Sequence, residues 1–412
     1  MTALRRVLFA AFVLGLGFSI TLSESALALL AVLWLWKLVS PEGRATARWP
    51  LLPPVLAFSG VTVLSALVSG HPGSSLAAAK GLLLVLALYV TADFLDGREA
   101  ADRFLWALSL VVAAAAAVGL LQVSLCPGPT VPEPAPRWLY HRCDRAHGFF
   151  SIYMTLAGVL SLTLLATLPR VLPGRAFRAG ALPPWLLSLA ALIATFTRGA
   201  WAGFAAGALA LLPEARRRTR WLVVIGLALV VTALLVMPYQ VRVRFLTLNE
   251  LRHRVLTMAD PHEAGITERL YMWRSGLAMW RAHPLLGLGP GGVKREYAGY
   301  ALPEAAKTRT GHVHNTPLQI LVERGILGLA AWLWLFGAFY LRAIGLLRRL
   351  PQEAARERAL VAGSLASMTG FLVGGLSEYN FGDTEVVLVA WTLIALPFVV
   401  EAGERKSPPA NR

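Results

Sequence analysis

Hydrophobic residues in this chain come in long blocks separated by short polar stretches, not in the alternation of a half-buried strand. A helix that crosses a membrane needs about 20 mostly apolar residues. Twelve blocks approach that length: 7–22, 25–39, 51–69, 76–94, 104–125, 149–170, 181–197, 199–213, 221–238, 317–341, 359–376 and 385–401. The blocks at 25–39 and 199–213 are short, so their ends are the least defined. The pattern predicts an all-α polytopic membrane protein with about twelve transmembrane helices.

The polar stretches carry the orientation. Arg5 and Arg6 precede the first block, and Lys37, Arg44 and Arg48 follow the second. Basic residues also follow the fourth block (Arg98, Arg103), the sixth (Arg170, Arg175, Arg178) and the eighth (Arg216, Arg217, Arg218, Arg220). The tenth is followed by Arg342, Arg348, Arg349, Arg356 and Arg358, and the chain ends on Arg405, Lys406 and Arg412. The short turns at Ser23–Glu24 and Gly70–Ser75 have no Lys or Arg. Positive charge collects on the cytoplasmic side of membrane proteins, so both termini are expected there. A cleaved signal peptide ending near Ala26-Leu27-Ala28 would cut into the second block and reverse this parity, so an uncleaved first span is the better reading.

Composition agrees with the pattern. The chain of 412 residues is 56% hydrophobic and 15% charged, against roughly 25% charged in soluble domains, and its mean hydropathy is +0.59. A formal net charge of +16 raises the question of nucleic acid. The cations lie between apolar blocks and not on one soluble face, so no nucleic-acid partner is expected. Cys126 and Cys143 bracket a proline-rich outer loop after the fifth block. A disulfide there suits an oxidising compartment, with two free thiols as the alternative.

Three regions follow: 1–238 with spans one to nine, an outer loop domain at 239–316, and 317–412 with spans ten to twelve and a cytoplasmic tail. A structureless loop as long as Tyr239–Asn315 is rare. "TERLYMWRSGLAMWRAHP" predicts a helix with Thr267 as N-cap and Pro284 after its end. Leu270, Trp273, Leu277 and Trp280 fall on one stripe, which suits either the outer membrane boundary or packing on the bundle. The loop holds eleven cations against six anions, an excess that an anionic phosphate ligand or anionic headgroups would explain. "GLGPGG" (287–292) satisfies G-x-G-x-x-G, but no buried strand precedes it and no dinucleotide site is expected.

Few residues are suited to chemistry. Arg198 sits in a very short turn between the seventh and eighth blocks; a guanidinium there either snorkels or grips phosphate with its fixed fork. His312 and His314 lack the further ligands of a zinc site, so one of them acting as a base suits the pair better. "SEYNFGDTE" places Glu378, Asp383 and Glu385 at the outer ends of the last two spans. Glu323 and Arg324 read as interfacial polar residues at the start of the tenth.

The stretch "GHVHNTPLQILVERGILG" then contains His314, Asn315, nine residues, Gly325, two residues and Gly328. This resembles the ligase-type motif of the O-antigen ligase and polymerase superfamily. "FTRGAW" resembles the family's arginine turn, and "ERLYMWRSGLAMWRAHPLLGLGPG" its loop helix and glycine turn. The resemblance covers most of the chain and is richest in motifs from about 195 to 330.

The resemblance implies a GT-C-type helical bundle in the bacterial inner membrane, with a large periplasmic loop between spans nine and ten. It implies transfer of a glycan from undecaprenyl diphosphate to a hydroxyl of the lipid A core, as in lipopolysaccharide synthesis, with no cofactor or metal. His314 is then the general base, and Arg198 and Arg269 match the family's arginine positions. Asn315, His312, Arg274, Arg142, Arg145 and Glu378 are expected to bind substrate. A repeat-unit polymerase or a protein O-oligosaccharyltransferase remains open within the family. Outside it, a cell-wall polymerase would need an acidic Trp-Asp signature that is not seen, and a transporter would show inverted halves or paired broken helices.

Overall fold

The computed structural model describes residues 2–125, 145–212, 242–243, 246–247 and 264–406. The span expected at 221–238, both cysteines and Arg142 lie outside the described residues. The described chain is almost wholly helical. Its first half contains α1 (Thr2–Phe18), α2 (Ile20–Lys37), α3 (Pro41–Thr46), α4 (Leu52–Val68), α5 (Pro72–Ala78), α6 (Leu86–Phe94) and α7 (Gly97–Ser124). There follow α8 (Tyr153–Val171), α9 (Leu182–Ala194), α10 (Arg198–Ala210), α11 (Ala264–Ala282), α12 (Gly292–Glu296), α13 (Thr316–Arg349), α14 (Ala355–Gly374) and α15 (Thr384–Lys406).

Among the described residues six helical segments are long and apolar enough to cross a membrane: Ile20–Lys37, Pro72–Phe94, Gly97–Ser124, Tyr153–Val171, Thr316–Arg349 and Thr384–Arg405. The protein is therefore a helical membrane protein. Helix α8 and helix α15 form its centre, with most of their apolar windows buried, whereas two thirds of the α2 window faces outward. Shorter apolar helices, including Leu52–Val68, fill the spaces between them.

Contacts sort the helix ends into two groups. At one end Asp93 pairs with Arg5 (3.0 Å) and Lys37 (2.6 Å), Asp102 with Arg170 and Arg178, and Arg98 with Glu357 (2.7 Å). Glu401 joins this end through Arg342 and Arg405. Many of the cations that mark the even-numbered exits thus gather on one face and are tied to carboxylates there. At the other end Gln122 bonds Gly148, Thr155 bonds Asp383, and Ala146 N–H donates to Ala194 O.

A stripe of glycines fixes how α10 reaches that second end. Gly203 and Gly207 face the carbonyls of Gly370 and Ala366, and Gly199 faces Ser377, each so closely that a Cβ would collide. Small residues at i, i+4 and i+8 allow two membrane helices to approach backbone to backbone. The consequence is local: the first turn of α10, with Arg198, rests against the loop after α14.

Helix α13 is not continuous. Gly325 has φ 64° and ψ −169°, which breaks the hydrogen-bond ladder inside the apolar region. Exposed backbone groups are costly in lipid, and the segment 284–289 takes them up. Ile326 N–H donates to Pro284 O (2.9 Å), while Leu288 and Gly289 N–H donate to Val322 O (3.0 Å) and Glu323 O (2.9 Å). Gly287, Gly289 and Gly291 all have positive φ, and a Cβ on Gly287 would strike the Val322–Arg324 backbone. "GLGPGG" is a clasp over a broken helix.

This break corrects the reading of Glu323 and Arg324 as interfacial. Both are buried. Glu323 Oε1 accepts from Gly291 N–H and Gln319 Nε2 (both 2.9 Å), and Arg324 donates to Glu323 Oε2 (3.2 Å) and to Thr62 Oγ1 (3.1 Å). A second correction concerns α11, which starts at Ala264 and so has Thr267 inside it, not at its N-cap. The helix packs on the bundle side: Met272 and Met279 join Leu288, Val293, Tyr297, Val313 and Val322 in a small second core, and Leu277 is left exposed.

Candidate active site

The site grows from the residue pair that opens α13. Asn315 caps the helix, its Oδ1 accepting from Leu318 N–H while its Nδ2 donates to Leu376 O (both 2.9 Å). Its carboxamide is thus committed to backbone. Thr316 N–H donates to Gly375 O (2.7 Å), and its Oγ1 lies 2.9 Å from both Glu378 O and Asn380 Oδ1. These bonds stitch the start of α13 to the loop between α14 and α15.

His314 is held just before the cap in the left-handed region, φ 50°. That conformation costs a non-glycine residue about 1–3 kcal/mol and persists only where the surroundings enforce it. They do so here: Val313 N–H donates to Gln319 Oε1 (2.9 Å), and Trp273 of α11 donates to Val313 O (3.1 Å). Phe196, two residues before Arg198, is also left-handed, at φ 51°.

The result places His314 Nδ1 3.0 Å from Glu378 Oε2, with both side chains largely buried. The other carboxylate oxygen, Oε1, accepts from Arg269 Nη2. A carboxylate on Nδ1 holds the proton there and leaves the Nε2 lone pair free to accept another. His312 stands edge to face with His314, ring centroids 4.2 Å apart. Burial, then the neighbouring His314, pushes His312 down to about 4, against a weaker upward pull from Glu378, so His312 is neutral at pH 7. Tyr379 is pushed up to about 12, first by burial and then by Glu323, and remains a phenol.

His312, His314, Glu378 and Tyr379 line a cavity of about 220 Å³ together with Thr155, Thr197, Ala200, Asn380 and Asp383. Thr155 Oγ1 donates to Asp383 Oδ2 (2.6 Å), and Val386 N–H donates to Oδ1 (3.2 Å). Burial raises the Asp383 carboxyl against those bonds. The N-terminal turns of α8, α10 and α15 all supply lining residues, and α13 begins just after His314. Helix N-termini carry partial positive charge, so their convergence favours an anion here. Arg198 occupies the first turn of α10, between Thr197 and Ala200, where a cation opposes the helix dipole unless an anion joins it.

Of the expected site residues, the structure brings together His314, His312, Glu378 and Arg269, with the Arg198 turn beside them. Arg274 is exposed on α11, and the Arg145 guanidinium lies 4.3 Å above the Tyr153 ring, next to the lining residues Ile152 and Met154. Thr155 and Tyr379 were not among the expected residues. Thr155 lies inside an apolar block like any other threonine, so nothing local marks it.

Residues 184–333 match a family described as Wzy_C, O-antigen ligase. This stretch is similar to the O-antigen ligase domain and supports a place in that superfamily. The matched stretch holds Arg198, Arg269 and the whole of His312–Gly328, whereas Glu378, Thr155 and Asp383 come from outside it. No curated protein matches the chain.

Proposed function

We propose that this protein is an inverting glycosyltransferase that moves a glycan from undecaprenyl diphosphate to a sugar hydroxyl of the lipid A core. The observation that carries the reading is His314, oriented by Glu378 inside a cavity ringed by helix N-termini. In the transfer, the acceptor oxygen forms a bond to the anomeric carbon as the carbon–oxygen bond to the diphosphate breaks. The leaving diphosphate keeps the electron pair, and the acceptor proton passes to His314 Nε2. The imidazolium so formed is stabilised by Glu378.

Charge on the departing diphosphate is met by Arg198 and the first-turn N–H groups of α10, fixed before the reaction. Arg269 holds Glu378 through one Nη and retains other N–H donors for phosphate oxygens. The cation-rich end of the bundle is assigned to the cytoplasm, which sets the cavity on the periplasmic side of the bacterial inner membrane. That topology agrees with the orientation expected from the basic residues between the apolar blocks.

The test is reconstitution with a lipid-linked glycan, with and without lipid A core. A single glycan added to the core supports the ligase. Ladders that grow without core would instead identify a repeat-unit polymerase, and glycan on protein an O-oligosaccharyltransferase. No transfer under any condition, with passage of the lipid-linked glycan across the bilayer, would identify a transporter.

A further inference from the structure

A second concavity lies at the opposite end of the bundle from His314. It encloses about 900 Å³ between α1 and α7, and its mouth carries Arg5, Arg6 and Arg103. Its interior is apolar, with Phe9, Val13, Phe94, Phe104 and Val111 among the lining residues. The floor is a packed aromatic cluster: Phe9 stacks on Phe94 at 4.2 Å and meets Phe104 at 5.8 Å.

The two helices explain the shape. Gly17 of α1 lies against Val111 of α7 so closely that a Cβ would sit 2.6 Å from its Cγ1. From that closed end the groove runs along both helices to Arg6 and Arg103. Arg6 to Gly17 is eleven residues of helix, about 16 Å at 1.5 Å per residue. That is about the depth of one leaflet, half of the roughly 30 Å hydrocarbon core.

Charge at the mouth is unbalanced. Both acidic lining residues have cationic partners, Asp93 with Arg5 and Lys37 and Asp96 with Arg48. Arg6 and Arg103 are exposed and make no ion pair among the described residues. Two uncompensated guanidinium groups above an apolar trench of leaflet depth match one chemical class. We infer that this groove binds an anionic phospholipid, its phosphate between Arg6 and Arg103 and an acyl chain over the Phe9–Phe94–Phe104 floor. Basic pockets between transmembrane helices are known to hold such headgroups.

The full chain, purified in neutral detergent, is titrated with phosphatidylglycerol, phosphatidylcholine and inorganic phosphate, and bound lipid is counted by native mass spectrometry. Phosphatidylglycerol should be retained in preference to phosphatidylcholine, and phosphate alone should not compete. The R6A/R103A double variant should bind phosphatidylglycerol about thirtyfold more weakly, as expected for two cations at a lipid phosphate. Ala107→Phe, which fills the trench and leaves the arginines, should also weaken retention. Both variants should melt within a few degrees of wild type, which separates lost binding from lost folding. Equal retention of the two lipids, or unchanged binding by the double variant, would overturn the proposal. Competition by free phosphate would reduce the feature to an anion patch without a lipid. The groove is remote from the candidate active site, so the outcome is independent of the transferase reading.

Discussion

His314 Nδ1 and Glu378 Oε2 lie 3.0 Å apart although 64 residues separate them in the chain. This contact selects which nitrogen of His314 is basic. It also joins the matched family domain to the last loop of the bundle. Glu378→Gln should therefore leave the fold intact and lower kcat by on the order of a hundredfold or more, the usual scale for a disabled acid–base group. Wild-type kcat in this variant would remove Glu378 from the proposed mechanism.

Arg198→Lys should not be conservative. A point charge at the start of α10 cannot reproduce a planar fork on phosphate oxygens. Transfer should fall at least about tenfold, the scale of one charge-assisted bond, with unchanged thermal stability. Full transfer would mean that the guanidinium serves only as an interfacial anchor.

His312 makes a prediction about acid. Its folded pKa, about 4, lies below its ordinary value of 6.5. Between those values the unfolded chain binds a proton that the folded chain does not, so stability falls as pH drops from about 6.5 toward 4. The contribution is fully present above that window. His312→Gln cannot titrate there and should show a flatter melting temperature between pH 7 and 4. Parallel curves for the two proteins would argue against a buried neutral His312.

Two glycines in α13 give a matched pair. Gly325→Ala forces a side chain into φ 64° and onto the Leu285 carbonyl, whereas a Cβ at Gly337 meets nothing within 4 Å. The first change should destabilise by more than about 1 kcal/mol and release the 284–289 clasp. The second should be neutral or stabilise by up to about 1 kcal/mol. Melting of each variant, with protease cutting near 284–289 as the local readout, checks both. Equal melting temperatures would mean that the break does not depend on Gly325.

Much of the helix layout was legible because lipid imposes a simple rule: apolar length specifies a span, and basic residues mark its ends. The blocks at 51–69 and 149–170 became α4 and α8 within a few residues. The motif His314–Asn315–Gly325–Gly328 was legible too, through its spacing and the family it resembles. Its physical meaning was not. Asn315 as cap, and the clasp of Gly287 and Gly289 over a broken helix, are relations among backbone groups that hydropathy does not encode.

Sequence alone therefore determined a helical membrane protein with its cations toward one end, because desolvating charge is costly wherever the fold places it. Only tertiary structure decided which carboxylate His314 meets and that Glu323 and Arg324 are buried. It also decided that Thr155 and Asp383 share the cavity. Such partners are selected by helix crossings, here the glycine contacts of α10 with α14, and a crossing depends on surfaces far apart in the chain.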